Sequence, residues 1–94
     1  MNSRFEWDPD KAQRNLEIHG VTFAEASTVF FDPLAAVMAD QTHSRGEERA
    51  ILVGHSFRNQ LLVVVHSEHG DTVRIISARF ATRHERGFYE QSPS

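Results

Sequence analysis

Four side chains able to bind phosphate or move protons fall, by strand alternation, on one face of a predicted β-meander. They are Arg49, His55, His66 and Arg79. Guanidinium groups bind phosphate through paired N–H donors, and imidazoles exchange protons near neutral pH. Together they could hold a phosphodiester and catalyse proton transfer. An ordinary solvated face is the alternative, because antiparallel sheets often expose one polar side. The apolar residues that share this face would then need a partner to cover them.

The meander that positions these side chains is centred on residues 61–80. They predict two strands joined by a turn at Gly70-Asp71, since glycine adopts the positive φ that such a turn requires. His66 then pairs with Ile75. One face is apolar throughout and predicts the core: Leu61, Val63, Val65, Ile76, Ala78 and Phe80. The opposite face, with His66 and Arg79, is the predicted working surface.

A further strand over residues 49–56 extends the meander. A two-residue loop at Arg58-Asn59 places His55 opposite Leu62 on the next strand. Arg79 pairs with Leu62 from the other side. His55 and Arg79 would therefore lie about 9–10 Å apart, two strand spacings, on the predicted working surface.

Helix capping signals predict three helices around this sheet. Their N-caps and partners are Asp8 with Pro9, Thr22 with Glu25, and Thr82 with Glu85. The first helix ends near His19, because Gly20 suits a left-handed C-cap. The predicted buried stripes are Ala12, Leu16 and His19 on the first helix, and Phe23, Ala26 and Phe30 on the second.

With a short strand at residues 34–39, the predicted order is α-α-β-β-β-β-α. The fold class is α+β: two N-terminal helices packed on a four-stranded, mainly antiparallel sheet, with a C-terminal helix at its edge. The 94 residues predict one domain, with a polar tail from about residue 91.

Composition narrows the class of protein. The chain has no cysteine, which excludes disulfides and metal sites with thiolate ligands. No apolar run reaches the length of a signal peptide or a membrane span, so we expect a cytoplasmic protein that does not bind membranes. The net charge of −3 argues against a general nucleic-acid binder, although nine of the ten cationic residues are arginines.

The polar loop at residues 40–48 adds a candidate general base. His43 lies there with Glu47 and Glu48 close behind, and an imidazole beside a carboxylate can abstract a proton. A metal site is not predicted, because His66 and His69 straddle a strand end and no H-E-x-x-H motif is present. We expect no metal and no cofactor.

Short motifs along the chain, taken together, resemble the BrnT family over residues 5 to 90. In order they are F-E-W-D at 5–8, H-G-V at 19–21, F-x-D-P-L at 30–34, H-S-x-G-E-E-R at 43–49, G-x-S at 54–56, R-I-I-S-A-R at 74–79, and A-T-x-x-E at 81–85 followed by Tyr89. Two positions depart from the family's pattern. His55 stands where an arginine is expected, and Phe80 stands where a second basic residue often follows Arg79.

The resemblance implies a RelE-like fold and a toxin of a type II toxin–antitoxin system. Such a toxin is a metal-independent endoribonuclease: the ribose 2′-OH attacks the adjacent phosphate, and cutting RNA arrests translation. The implied partner is a BrnA-type ribbon-helix-helix antitoxin, through which the complex binds operator DNA. Two alternatives on the same fold are a ParE-like inhibitor of a protein target and a non-catalytic partner-binding module.

The resemblance also implies site residues. The catalytic candidates are His43, Glu48, Arg49, Arg79 and Arg83. Either His43 or Glu48 would be the base, while Arg49 and Arg79 would hold the phosphate. The RNA-binding candidates are Lys11 and Tyr89 from the matched positions, and His55 and His66 from the predicted working surface.

Overall fold

A computed structural model describes residues 4–38 and 49–91 of the chain. The elements are β1 (Arg4–Glu6), α1 (Pro9–His19), α2 (Phe23–Thr28), a 3₁₀ turn (Val29–Phe31), β2 (Ala36–Met38), β3 (Ala50–His55), β4 (Leu61–His69), β5 (Thr72–Phe80) and α3 (Arg83–Gln91). The strands form one sheet in the order β1-β5-β4-β3-β2. Only the β1–β5 pair among these strands is parallel. The α+β class is therefore confirmed.

The prediction of four strands is wrong, because the described part of the chain contains a fifth, β1. It pairs with Thr72–Arg74 at the start of β5, 68 residues further along the chain. A three-residue strand carries little alternation, and only this distant partner makes it a strand. Phe5, at its centre, packs against the core and contacts the ring of Phe30.

The predicted N-caps form at Asp8, Thr22 and Thr82. The Asp8 carboxylate accepts hydrogen bonds from the backbone N–H groups of Asp10 and Lys11. Gly20 has φ 73° and ends α1. At the start of α3, the Thr82 N–H donates to the Glu85 carboxylate at 2.9 Å. The Glu85 N–H in turn donates to the Thr82 hydroxyl at 3.2 Å.

The predicted stripe of α1 is wrong at two positions. Leu16 is 42% exposed, and His19 is also exposed. Asn15 is buried instead, because its side chain forms hydrogen bonds with the backbone at the edge of β5. Its amide donates to the carbonyls of Ala78 (2.8 Å) and Val21 (2.9 Å), and its oxygen accepts from the Ala78 N–H (3.1 Å). Asn15 therefore takes the place of a neighbouring strand where β1 has ended.

The predicted register of the β4–β5 hairpin holds only near its turn. Gly70 has φ 64°, and His66 pairs with Ile75 as predicted. A register shift then occurs between Val65 and His66, and Val65 pairs with Ser77. Ile76 is thus the extra residue of a β-bulge on β5, which displaces every later pair by one residue.

The β3–β4 register differs as well. His55 pairs with Leu61 rather than Leu62. The connection is closed by hydrogen bonds from the Ser56 N–H to the Gln60 carbonyl (2.9 Å) and from the Asn59 N–H to the Ser56 carbonyl (2.8 Å). Asn59 adopts φ 62° there, a left-handed conformation that asparagine tolerates.

These shifts reverse the predicted faces of β4. The helices α1 and α2 cover the face that carries Leu62 and Val64, which lie in one core cluster with Phe23. Leu61 and Val63 lie on the opposite face, in a second cluster. The assignment of Leu61 and Val63 to the helix-covered core is therefore wrong, because a one-residue change in register moves a side chain to the other side of the sheet.

Candidate functional site

The helix α3 covers part of the sheet face opposite α1 and α2. Its Phe88 and Tyr89 pack against a cluster of Val53, Leu61 and Val63. The helix α3 therefore buries part of the apolar surface that was expected to need a partner. Glu85 and Tyr89 are four residues apart, so both project from one side of the helix. Each of them contacts a predicted site residue.

Glu85 holds the guanidinium of Arg79. Two N–H···O bonds of 2.7 Å join the side chains, and Arg79 also donates to the Phe80 carbonyl at 3.3 Å. The hydrogen bonds from Arg79 lower the pKa of Glu85 to about 2 against the opposing effect of burial, with a further contribution from the Thr82 N–H. Hydrogen bonding to Glu85 raises the pKa of Arg79. Arg79 is therefore charged and fixed in place, with its side chain 41% exposed.

Tyr89 joins His55 to Asp32. Its hydroxyl donates to Asp32 Oδ2 at 2.8 Å and lies 3.0 Å from His55 Nδ1. The two rings meet edge to face with centroids 5.0 Å apart. The His55 side chain is 31% exposed, so its ring reaches solvent. The three side chains form a chain of contacts from a largely buried carboxylate, 10% exposed, to an accessible imidazole.

Gly54 lets the turn at residues 32–35, called here the Asp32 turn, approach β3. A Cβ at this position would lie 2.9 Å from Ala35 Cβ and from a Val29 methyl, and 3.1 Å from Asp32 Oδ2. A side chain would therefore push the turn away from the strand. With glycine there, Asp32 Oδ2 also accepts from the His55 backbone N–H at 2.8 Å.

His55 and Arg79 share the sheet face that α3 covers, and the prediction that they lie on one face is confirmed. His55 pairs with Leu61 and Arg79 with Val63, two residues further along β4. Two strand spacings across and two residues along place their Cα atoms roughly 12 Å apart. Beside His55 lies an open cleft of about 460 Å³, lined by Thr28, Phe31, Asp32, His55, Ser56 and Phe57. His55 lines this cleft, whereas Arg79 does not.

His66 does not belong to this face. It is 2% exposed on the side covered by α2 and the 3₁₀ turn, where its ring meets that of Phe30 at 4.8 Å. Its Nε2 lies 3.1 Å from a Glu68 oxygen. The prediction that His66 shares a face with His55 and Arg79 is wrong. In the observed register, His66 lies on the side of β4 that faces the helices. Its burial also removes it from the RNA-binding candidates.

The structure does not bring the remaining described candidates to His55. Arg49 precedes β3, whereas His55 ends that strand, about 20 Å away at strand spacing. Lys11 is exposed on α1, across the sheet from Arg79. Arg83 is exposed at the start of α3. His43, Glu47 and Glu48 lie outside the described residues.

Sequence reasoning missed Asp32 and Glu85 as parts of the site. Asp32 had no assigned functional role beyond its place in the F-x-D-P-L motif at 30–34, and Glu85 was predicted only to cap a helix. The available signal for Glu85 was its place in the sequence: a capping carboxylate six residues after an arginine near the end of a strand can reach that arginine. Asp32 offered no comparable signal, because its contact with His55 spans 23 residues.

Two further properties concern cofactors and membranes. Across residues 4–38 and 49–91, no three histidine, aspartate or glutamate side chains are grouped to hold a metal ion. No described helix is long and apolar enough to cross a membrane.

Comparisons with known proteins agree with this architecture. Among curated proteins, none matches the chain with significance. A crystal structure of the Brucella abortus ribonuclease toxin BrnT is similar in fold, with a TM-score of 0.66 and 22% sequence identity. The similarity covers 87% of this chain and 100% of the Brucella chain. The family model described as ribonuclease toxin, BrnT, of type II toxin–antitoxin system matches residues 7–85. The chain therefore belongs to the BrnT family of ribonuclease toxins of type II toxin–antitoxin systems.

Proposed function

We propose that this chain cleaves RNA without a metal ion, with His55 moving protons and Arg79 binding the reacting phosphate. The observation that carries the proposal is the placement of both side chains on one sheet face, each held by a residue of α3. A positioned imidazole and a positioned guanidinium supply the two functions that cleavage by the 2′-OH requires: proton transfer and stabilisation of the phosphate's developing charge.

The reaction needs no external reactant. His55 takes the proton of the ribose 2′-OH, and O2′ forms a bond to phosphorus. The P–O5′ bond breaks, the leaving O5′ takes up a proton from solvent, and His55 returns its proton to solvent. The products are a 2′,3′-cyclic phosphate and a 5′-hydroxyl end. His43 and Glu48 remain the other candidates for the base.

Arg79 keeps donors available for this task despite its pairing with Glu85. A guanidinium has five N–H donors. Glu85 engages two of them and the Phe80 carbonyl a third. The remaining N–H groups, on a side chain 41% exposed, can bind phosphate oxygens. Glu85 itself is a poor general base, because its pKa is about 2.

Purified protein incubated with RNA in excess chelator tests the proposal. We expect cleavage that leaves 2′,3′-cyclic or 3′-phosphate ends. His55→Asn and Arg79→Met should each lower the rate by about 10²-fold or more. Two exposed residues of α3 provide matched controls, His84→Asn and Arg86→Met, and both should cleave like the parent.

Three results would count against the proposal. Loss of cleavage in chelator, restored by added metal, would refute the metal-independent mechanism. Parental rates in the His55 variant, with loss in His43→Ala or Glu48→Gln, would transfer the role of base to the loop. Folded protein that cuts no RNA would favour the ParE-like inhibitor or the non-catalytic binding module.

The proposed biological role is inhibition of translation, relieved by a BrnA-type antitoxin. Expression of the chain alone should arrest growth, and co-expression of a ribbon-helix-helix antitoxin should restore it. The complex should bind operator DNA, whereas the toxin alone should not. Growth arrest that persists in the Arg79→Met and His55→Asn variants would separate toxicity from RNA cleavage.

A further inference from the structure

The Asp32 carboxylate is held by three donors. Its Oδ2 accepts from the His55 backbone N–H and from the Tyr89 hydroxyl, each at 2.8 Å, and its Oδ1 accepts from the Leu34 N–H at 2.9 Å. Burial alone would raise the pKa of Asp32, but these hydrogen bonds bring it below its ordinary value. Asp32 is therefore ionised at neutral pH, and an ionised carboxylate only accepts hydrogen bonds.

The hydroxyl of Tyr89 has a single hydrogen. The Tyr89 oxygen and Asp32 Oδ2 lie 2.8 Å apart, and Asp32 cannot donate. The tyrosine hydrogen must therefore lie between these two atoms, because otherwise two oxygen lone pairs would face each other. Burial and the bond to Asp32 raise the pKa of Tyr89 to about 12, so the hydroxyl stays protonated. The Tyr89 oxygen can then offer only a lone pair to His55.

We infer that Asp32, acting through Tyr89, fixes His55 in the tautomer that carries its proton on Nδ1 and leaves Nε2 as the basic atom. The Nδ1 atom lies 3.0 Å from the Tyr89 oxygen, and with the tyrosine proton directed at Asp32 it must be the donor. A neutral imidazole carries one proton, so Nε2 keeps a lone pair. Which ring nitrogen is protonated is set in this way by the hydrogen bond that the other makes.

The catalytic part of this inference rests on the proposed RNA cleavage. In that reaction Nε2 accepts the proton of the 2′-OH while Nδ1–H stays bonded to Tyr89. Asp32 and Tyr89 are then positioning residues, since they act on His55 and not on the substrate. This differs from the RNA-binding role predicted for Tyr89 from sequence.

The ring nitrogens of His55 give a direct test by NMR. Full-length ¹⁵N-labelled protein is measured at about pH 8, where an ordinary histidine is neutral. Two-bond ¹H–¹⁵N correlations distinguish the two tautomers. We expect the parent to show protonated Nδ1 and unprotonated Nε2 at His55, assigned by its absence from the spectrum of His55→Asn.

Tyr89→Phe removes only the hydroxyl and keeps the ring that packs on His55. We expect it to move His55 toward a mixture of tautomers and to lower RNA cleavage about tenfold, less than the ~10²-fold or greater loss on removing the imidazole. Glu25→Gln is the matched control. Glu25 accepts from Ser56, the residue after His55, at 2.7 Å and does not form part of the Asp32–Tyr89 chain. This variant should keep the parental tautomer.

The outcomes separate the two proposals. A parent with protonated Nε2, or an unchanged tautomer in Tyr89→Phe, overturns the inference even if RNA is cut. The inferred tautomer in a folded protein that cuts no RNA refutes the proposed function and the catalytic use of Nε2, while the hydrogen assignment stands. Should Tyr89→Phe fail to fold, the parental spectrum alone decides the tautomer.

Discussion

Replacing Glu85 by Gln should make the stability of this protein less dependent on pH. Gln still accepts a hydrogen bond from Thr82 and so preserves the capping box. It removes the charge that pairs with Arg79 through two bonds of 2.7 Å. The substitution therefore isolates the ion pair from the helix cap that the same side chain provides.

The structure sets the magnitude. A pKa that falls from 4.5 to about 2 corresponds to at most ~3.4 kcal/mol, at about 1.36 kcal/mol for each tenfold change in proton affinity. The Glu85 side chain is 12% exposed, but that of Arg79 is 41% exposed and solvent screens the pair. We therefore expect the charge to contribute about 1–2 kcal/mol to the free energy of unfolding at neutral pH.

The direction of the pH effect follows from the lowered pKa. A carboxyl whose pKa is lower in the folded state stabilises the fold above its unfolded-state value, near 4.5, and loses that contribution as the pH falls toward 2. At about pH 3 more than half of the contribution should be gone. Urea unfolding at about pH 7 and pH 3 should therefore show the parent losing roughly 1 kcal/mol more than Glu85→Gln.

Glu17→Gln provides the control for removing one acidic group. Glu17 is exposed on α1 and accepts a hydrogen bond from Gln13 rather than from a cation. This variant should show the pH dependence of the parent. Equal losses in the parent and in Glu85→Gln would mean that the Arg79 pair does not stabilise the fold and would refute the reasoning.

Three further substitutions test the structural supports of the site by urea unfolding. Asn15→Ala leaves three buried backbone groups unpaired and should lower the free energy of unfolding by about 3 kcal/mol. Gln13→Ala, on the exposed side of α1, should change it by less than ~0.5 kcal/mol. Similar values for the two variants would contradict the role of Asn15 at the edge of β5. Gly54→Ala should destabilise the protein by about 1–3 kcal/mol, because the added Cβ meets neighbouring atoms at 2.9 Å. Gly87→Ala, with no neighbour within 4 Å, should stabilise α3 by about 0.5–1 kcal/mol. A Gly54→Ala variant as stable as the parent would argue against the close approach of the Asp32 turn to β3. Val63→Ala should cost about 1–3 kcal/mol through lost burial, and a smaller loss would show that α3 does not seal this face.

Local sequence determined the helix ends and the hairpin turn. The Asp8 cap, the Gly20 end and the Thr82–Glu85 box each depend on residues at most four apart, and all three form as predicted. The turn at Gly70 depends on one glycine that accepts φ 64°. Such signals can be read from sequence because the interacting atoms are already neighbours along the chain.

Tertiary structure decided which side chains share a face. The bulge at Ile76 and the five-residue connection after His55 each moved the register of β4 by one residue, one on either side of that strand. The two differences in register cancel for His55 and Arg79, which lie on one face as predicted. His66 lies on β4 itself and is therefore on the opposite face. Bulges follow from how a strand must bend over the core, and no local residue pattern marked this one.

The sequence alone indicated the candidate site residues, but not the groups that hold them. His55 and Arg79 were predicted from strand alternation. Asp32 reaches His55 only because Gly54 allows a close approach between segments more than twenty residues apart. Tyr89 completes that contact from the far end of the chain, 57 residues beyond Asp32. Contacts of this kind depend on how α3 and the Asp32 turn pack against β3, which is a property of the assembled sheet and not of any segment within it.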